Sequence, residues 1–168
     1  LVAPDLNGDG LPDLVDADLF ANTLTVLTNT GSGDFKLRAK IFGGNRPISV
    51  APADVNGDNK IDLICANQGN NTLKVFTNDG TAGFVLSDTY TVGTQPSWVA
   101  AADLNGDGKA DLISADTGAD SLTVLTNDGT GAFVYSATLG VGSRPRFVVA
   151  TDINGDGSRD LVSANKGQ

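Results

Sequence analysis

A six-residue phrase recurs through this chain at a fixed interval, and that interval limits the fold more than any other feature. Asp-Leu-Asn-Gly-Asp-Gly begins at Asp5, Asp-Val-Asn-Gly-Asp-Asn at Asp54, Asp-Leu-Asn-Gly-Asp-Gly at Asp103 and Asp-Ile-Asn-Gly-Asp-Gly at Asp152, each 49 residues after the last. Other positions keep the same step without insertion: Leu24, Leu73 and Leu122; Val26, Val75 and Val124; Asn29, Asn78 and Asn127; Phe35, Phe84 and Phe133; Pro47, Pro96 and Pro145. Such a period marks a stack of one supersecondary unit, each copy burying its apolar faces against its neighbours. The 168 residues hold three units and the opening of a fourth from about residue 148, and we read 1–168 as a single repeat domain.

Each unit divides into short β-rich runs. In the second, these are 48–55, 61–67, 72–77 and 84–92, separated by Gly, Asn and Asp clusters that favour turns. No segment carries a helical apolar stripe, so the fold is expected to be all-β. The second run of each unit sets two apolar residues side by side, Leu63-Ile64, Leu112-Ile113 and Leu161-Val162, as a sheet covered on both faces requires. Four antiparallel strands per repeat of this length describe a β-propeller blade. A β-sandwich would not repeat its sequence, and the coils of a β-helix are much shorter. The expectation is about three and a half blades, or fourteen strands.

The recurring phrase connects the first two strands of each unit and continues as Asp-x-Asn-x-Asp-x-x-x-Asp. Its oxygen-bearing positions are Asp5, Asn7, Asp9 and Asp13; Asp54, Asn56, Asp58 and Asp62; Asp103, Asn105, Asp107 and Asp111; and Asp152, Asn154, Asp156 and Asp160. Side chains at positions 1, 3 and 5 of a curled loop can converge, and position 7 varies freely as Leu11, Lys60, Lys109 and Ser158, consistent with use of its backbone carbonyl alone. Oxygen donors in this number suit Ca²⁺, so four calcium sites are expected. An EF-hand shares the first five positions but needs Glu at position 12 and flanking helices. Here position 12 holds Asp16, Cys65, Ser114 and Ser163, each within a predicted strand. Asx-turns explain one isolated Asn-Gly-Asp; four in strict register, each closed by a carboxylate at position 9, argue for a ligand set. Asn59 replaces Gly at position 6 of the second loop, which is expected to weaken that site.

Composition narrows the chemistry. All 20 acidic residues are Asp, and with 11 basic residues the formal charge is −9, which argues against nucleic acid as partner. His is absent, removing the commonest general base and excluding a hydrolase triad of the usual type. Cys65 is the only cysteine, so no internal disulfide forms and a zinc site is not expected. No apolar run approaches the roughly 20 residues of a membrane span. We expect no enzyme activity.

These loops, with Phe42-Gly43-Gly44 and Pro47 upstream of the second, resemble FG-GAP/VCBS repeats, the integrin α-chain type of propeller blade. The resemblance covers the whole chain. It implies a calcium-stabilised propeller, usually seven-bladed, in extracellular adhesion proteins, lectins and appendages of secreted enzymes, with ligands on the face opposite the calcium loops or between blades. On this chain that face would carry Asp18-Leu19-Phe20, Asn67-Gln68-Gly69-Asn70 and Asp116-Thr117-Gly118-Ala119, together with Arg46, Gln95, Trp98, Arg144 and Arg146. The expected protein is a secreted or surface-exposed module for adhesion or for binding carbohydrate or protein. The alternative is a structural propeller supporting a larger secreted protein or enzyme. Because the sequence ends mid-unit, further blades of a longer chain, or self-association, are expected to complete the ring.

Overall fold

The computed structural model describes residues 1–167. Runs rich in Val, Leu, Ile and Thr, punctuated by Gly and Asn at positive φ, form thirteen strands. These are β1 (Leu14–Asp18), β2 (Thr23–Asn29), β3 (Phe35–Phe42), β4 (Pro47–Ala53), β5 (Asp62–Asn67), β6 (Thr72–Asn78) and β7 (Phe84–Thr91). They continue as β8 (Pro96–Ala102), β9 (Asp111–Asp116), β10 (Ser121–Asn127), β11 (Phe133–Gly140), β12 (Pro145–Thr151) and β13 (Asp160–Asn165). All pairings are antiparallel between consecutive strands: β4-β5-β6-β7 and β8-β9-β10-β11 form complete four-stranded blades, flanked by β1-β2-β3 and by β12-β13. No helix occurs among the described residues.

The expected fourteenth strand is a correction. Pro4 has no N–H to donate, and the opening strand of the first unit is one bridge between Val2 and Val15. Elsewhere the repeat is followed closely. The third and fourth strands of each full unit slip register at one place, Val26/Leu27, Val75/Phe76 and Val124/Leu125, a bulge that sharpens twist at the same point each time.

Paired apolar residues on the second strand explain how the sheets stack. Leu63 and Ile64 are both fully buried and point to opposite faces of their sheet. Leu63 joins Val15, Leu24 and Val26 of the sheet before, and Ile64 joins Val99, Leu112 and Leu125 of the sheet after. Ile113 likewise packs on Val148 of the last sheet. Each such side chain contributes about 1.5–3 kcal/mol by leaving water, so the junctions between sheets are the core. First strands of neighbouring sheets lie side by side, β4 with β8 and β8 with β12, and second strands lie against the next first strand, β1 with β4, β5 with β8 and β9 with β12, whereas the fourth strands stand apart. The sheets therefore fan outward from their first strands, as propeller blades do. At the far end Val149, Ile153 and Val162, which repeat the positions of Ala51, Val55 and Ile64, are 38%, 63% and 42% exposed because no further sheet covers them.

Candidate functional site

The two ends of each blade carry different chemistry, and local backbone geometry explains both. At the end formed by the first-to-second strand loops, the position-1 carboxylate organises the curl. Asp5 accepts the N–H groups of Gly8 and Gly10 at 2.8 Å each, Asp103 those of Gly106 and Gly108, and Asp152 those of Gly155 and Gly157. Asn59 takes the place of the second glycine in the loop of Asp54 and adopts the same left-handed conformation, with φ 62°. The position-3 amide and position-5 carboxylate each accept an N–H two residues on, Asp9 to Asn7 and Leu11 to Asp9 in the first loop. The same pattern serves Asn56 and Asp58 with Lys60, Asn105 and Asp107 with Lys109, and Asn154 and Asp156 with Ser158. The N–H of Gly108 holds the Asp103 carboxyl below the usual carboxylate range, and the N–H groups of Gly157 and Gly155 do so for Asp152.

Position 9 behaves differently. Asp13, Asp62 and Asp111 are fully buried, and both oxygens of each are engaged by backbone. Asp62 accepts the N–H of Val55 at 3.2 Å and that of Asn78 at 2.8 Å; Asp111 accepts those of Leu104 and Asn127, and Asp13 those of Leu6 and Asn29. Burial raises the Asp62 carboxyl above its ordinary value, against the pull of those two N–H groups. Asp160, whose sheet has no third strand among the described residues, accepts from Ile153. Among the described residues no three carboxylates meet at metal-binding distance. The donor set of each loop nevertheless suits a hard cation: three carboxylates and an amide oxygen, with no nitrogen or sulfur ligand. A carboxylate holding two N–H groups keeps lone pairs for a cation.

A further residue of this corner escaped the sequence reading. Asn78 donates from Nδ2 to the carbonyl of Ile61 in its own blade at 2.9 Å and to that of Leu6 in the preceding blade at 2.8 Å. Asn127 repeats this with Ala110 and Val55. The loops of successive blades are thus bridged by an Asn from the third strand. The signal was present, since Asn29, Asn78 and Asn127 keep the 49-residue step.

At the opposite end, the fourth-to-first and second-to-third strand turns meet, as expected. Arg46, Gln95 and Arg144 precede Pro47, Pro96 and Pro145 and take φ of 55°, 54° and 58°, a conformation uncommon for residues with a side chain. Each is held there by donating its N–H to an Asn or Asp on the neighbouring turn: Arg46 to Asn22 at 2.8 Å, Gln95 to Asn71 at 2.8 Å and Arg144 to Asp120 at 2.7 Å. Between the second and third blades these turns enclose an open cleft of about 700 Å³. Asn45, Arg46, Gln68, Gly69, Asn71, Thr94 and Gln95 line it, and a Cβ on Gly69 would come within 2.5 Å of the Asn45 side chain.

The other expected ligand-face residues divide. Trp98 is half-buried and packs against Phe147 of the next blade, with ring centroids 4.6 Å apart. Asp116 is buried and accepts from Ser114 Oγ and Thr123 Oγ1, both at 2.6 Å; burial raises its carboxyl. Phe20 is 92% exposed. Cys65 is buried in the junction of the first two blades, and burial pushes its thiol up to about 12.

The fold and its repeated carboxylate loops define an all-β array of propeller blades. A family model described as FG-GAP-like repeat matches residues 5–65, 54–114 and 103–163, and the chain belongs to that family. No curated protein matches the sequence. Several solved structures share the fold. A lectin from Agrocybe aegerita, described by its specific recognition of non-reducing terminal N-acetylglucosamine, is 22% identical with a TM-score of 0.63, over 96% of this chain and 45% of that one. A chain of the structure of BBS1N in complex with ARL6DN is 12% identical with a TM-score of 0.69, over 97% and 50%. The V. cholerae biofilm matrix protein Bap1 is 21% identical with a TM-score of 0.59, over 96% and 27%. The chain thus spans half or less of the length of these relatives. No helix among the described residues is long and apolar enough to cross a membrane.

Proposed function

We propose that this chain is a calcium-stabilised propeller module that binds an extracellular ligand, carbohydrate or protein, on the face opposite its carboxylate loops. One observation carries the reading. The turns of that face have the same strained backbone in successive blades, yet the residues they present change from Arg46 to Gln95 to Arg144. A constant frame displaying variable side chains is how repeat scaffolds build binding surfaces. The lectin and the biofilm matrix protein that share the fold support this reading by analogy of architecture alone.

In each loop, the side chains at positions 1, 3, 5 and 9 with the position-7 carbonyl would hold the cation, which would supply charge neutralisation and structural closure, not catalysis. Extracellular calcium modules bind with Kd near 10⁻⁴–10⁻³ M, so the loops fill where calcium is millimolar, outside cells. We therefore place the protein at the cell surface or in secretion. At ten times Kd, each site would add about 1.4 kcal/mol of stability. Chelation should lower the melting temperature; if EDTA leaves it unchanged and calorimetry detects no binding, the loops are Asx-turns and nothing more. A glycan array on the calcium-loaded chain tests the ligand face.

A second reading, a structural propeller supporting a larger protein, is favoured by the exposed Val149, Ile153 and Val162. A surface of that kind calls for another blade, from the same chain or a second copy. Light scattering across concentration tests this: a stable monomer of 17.1 kDa would count against it.

A further inference from the structure

We infer that the cleft between the second and third blades takes a carboxylated sugar, a uronate or similar acidic residue of a glycan, with Arg46 as the group that reads the carboxylate. The inference rests on the proposal that this face binds ligands and adds the site, the class of ligand and the residue that selects it.

Charge comes first. The chain has 20 acidic residues, yet none lines this cleft, and Arg46 is its only charged side chain. One terminal nitrogen of its guanidinium donates to Gln68 Oε1 at 3.3 Å on the exposed surface, and the Arg46 backbone is held by its N–H bond to Asn22. Guanidinium is a planar fork of donors matched to carboxylate, so Arg46 selects that group over a neutral one.

The remainder of the lining identifies the scaffold that bears the carboxylate. Asn45, Gln68, Asn71 and Gln95 are amides, and Thr94 is a hydroxyl. An amide offers two donors and an acceptor, which suits vicinal hydroxyls that both donate and accept. No apolar side chain lines the cleft. An acidic peptide would therefore find no pocket for a side-chain anchor, and protein hot spots depend on such anchors. Nor is there an aromatic ring on which a neutral sugar could stack, which leaves charge to supply orientation. An open cleft of about 700 Å³ accommodates one or two sugar units of a longer chain.

The repeat supplies its own controls. Gln95 occupies in the third blade the place of Arg46 in the second, with the same left-handed backbone, so R46Q keeps the turn and removes the guanidinium, with its charge and its bond to Gln68. Conversely, Q95R places a second guanidinium on the same cleft. The experiment titrates a glucuronate-containing tetrasaccharide and its methyl ester into ¹⁵N-labelled protein, with and without calcium because uronates themselves ligate calcium. The side-chain amides of Asn45, Gln68, Asn71 and Gln95 should shift with the acid. R46Q should weaken its binding on the order of tenfold or more, the worth of a charge-assisted pair, and Q95R should strengthen it. If the methyl ester binds as well as the acid at these amides, the carboxylate inference falls while the glycan-binding face stands. If a hexaglutamate peptide shifts the cleft and the sugar does not, the ligand class is wrong. If neither the acid nor its ester moves these amides, the cleft inference falls, while the glycan array decides the proposed function separately.

Discussion

Replacing Asn78 by Ala tests whether the blades are fastened at their loops as well as packed along their faces. The side chain makes three hydrogen bonds: Nδ2 to Leu6 and Ile61 carbonyls at 2.8 and 2.9 Å, and Oδ1 from the Gly80 N–H at 2.9 Å. At about 1 kcal/mol net for each bond, N78A should cost about 3 kcal/mol, and more if the Leu6 carbonyl stays dry. For a chain of this length that is roughly a 6–12 °C fall in melting temperature, at 2–4 °C per kcal/mol. The internal control is Asn29, which occupies the same place in the first blade. With no blade before it, Asn29 donates only to the Pro12 carbonyl, at 3.1 Å in an exposed setting, and accepts from Gly31. N29A should therefore cost less than about 1 kcal/mol, within the range of an exposed substitution. N78D separates donor from acceptor: it keeps the Gly80 bond but aims a carboxylate oxygen at two carbonyls, and should be at least as damaging as N78A. Differential scanning calorimetry of the four proteins gives the answer. Equal melting temperatures for N78A and N29A would show that the bond to the preceding blade contributes nothing and that apolar packing alone joins the sheets.

Two further outcomes follow from buried groups away from the loops. Asp116 has a folded-state value raised by burial, so its charged form opposes folding. Stability should therefore rise as the pH falls from above that raised value toward the ordinary carboxylate range near ~3.9. D116N, which installs the residue found at the equivalent Asn67, should flatten that slope in urea titrations at successive pH values; an unchanged slope would clear Asp116 of responsibility. Cys65, with its thiol pushed up to about 12, should resist iodoacetamide at pH 8 in the native protein and react fully in urea. Rapid native labelling would show that the first blade junction opens.

The sequence made much of the architecture legible, and particular residues show why. Leu63-Ile64 announced a sheet covered on both faces because side chains alternate along a strand, and both are fully buried. Loop spacing and turn residues are likewise local properties, and the glycines that let each loop curl could be read from it directly. Position 9 was only half legible. Its recurrence marked Asp62 as necessary, but its burial and its bond to the Asn78 N–H depend on a strand sixteen residues further on. The period of Asn78 was visible, whereas its reach to Leu6, 72 residues away, was not. The opening strand of the first unit, reduced to the Val2–Val15 bridge, was likewise a matter of partners and not of propensity.

What the sequence determined by itself was the unit: four short strands, their turns, the apolar pair on the second strand and the oxygen-rich loop. These rest on interactions within a few residues or on strict periodicity, which a linear chain displays directly. What only the tertiary structure decided was how units meet. The cleft lined by Arg46, Gln68 and Gln95 joins turns from two blades, and the Asn78 bridge joins two loops. Both arise because stacking along the apolar faces brings positions a full repeat apart into contact, and only the packed junction specifies which polar groups then meet.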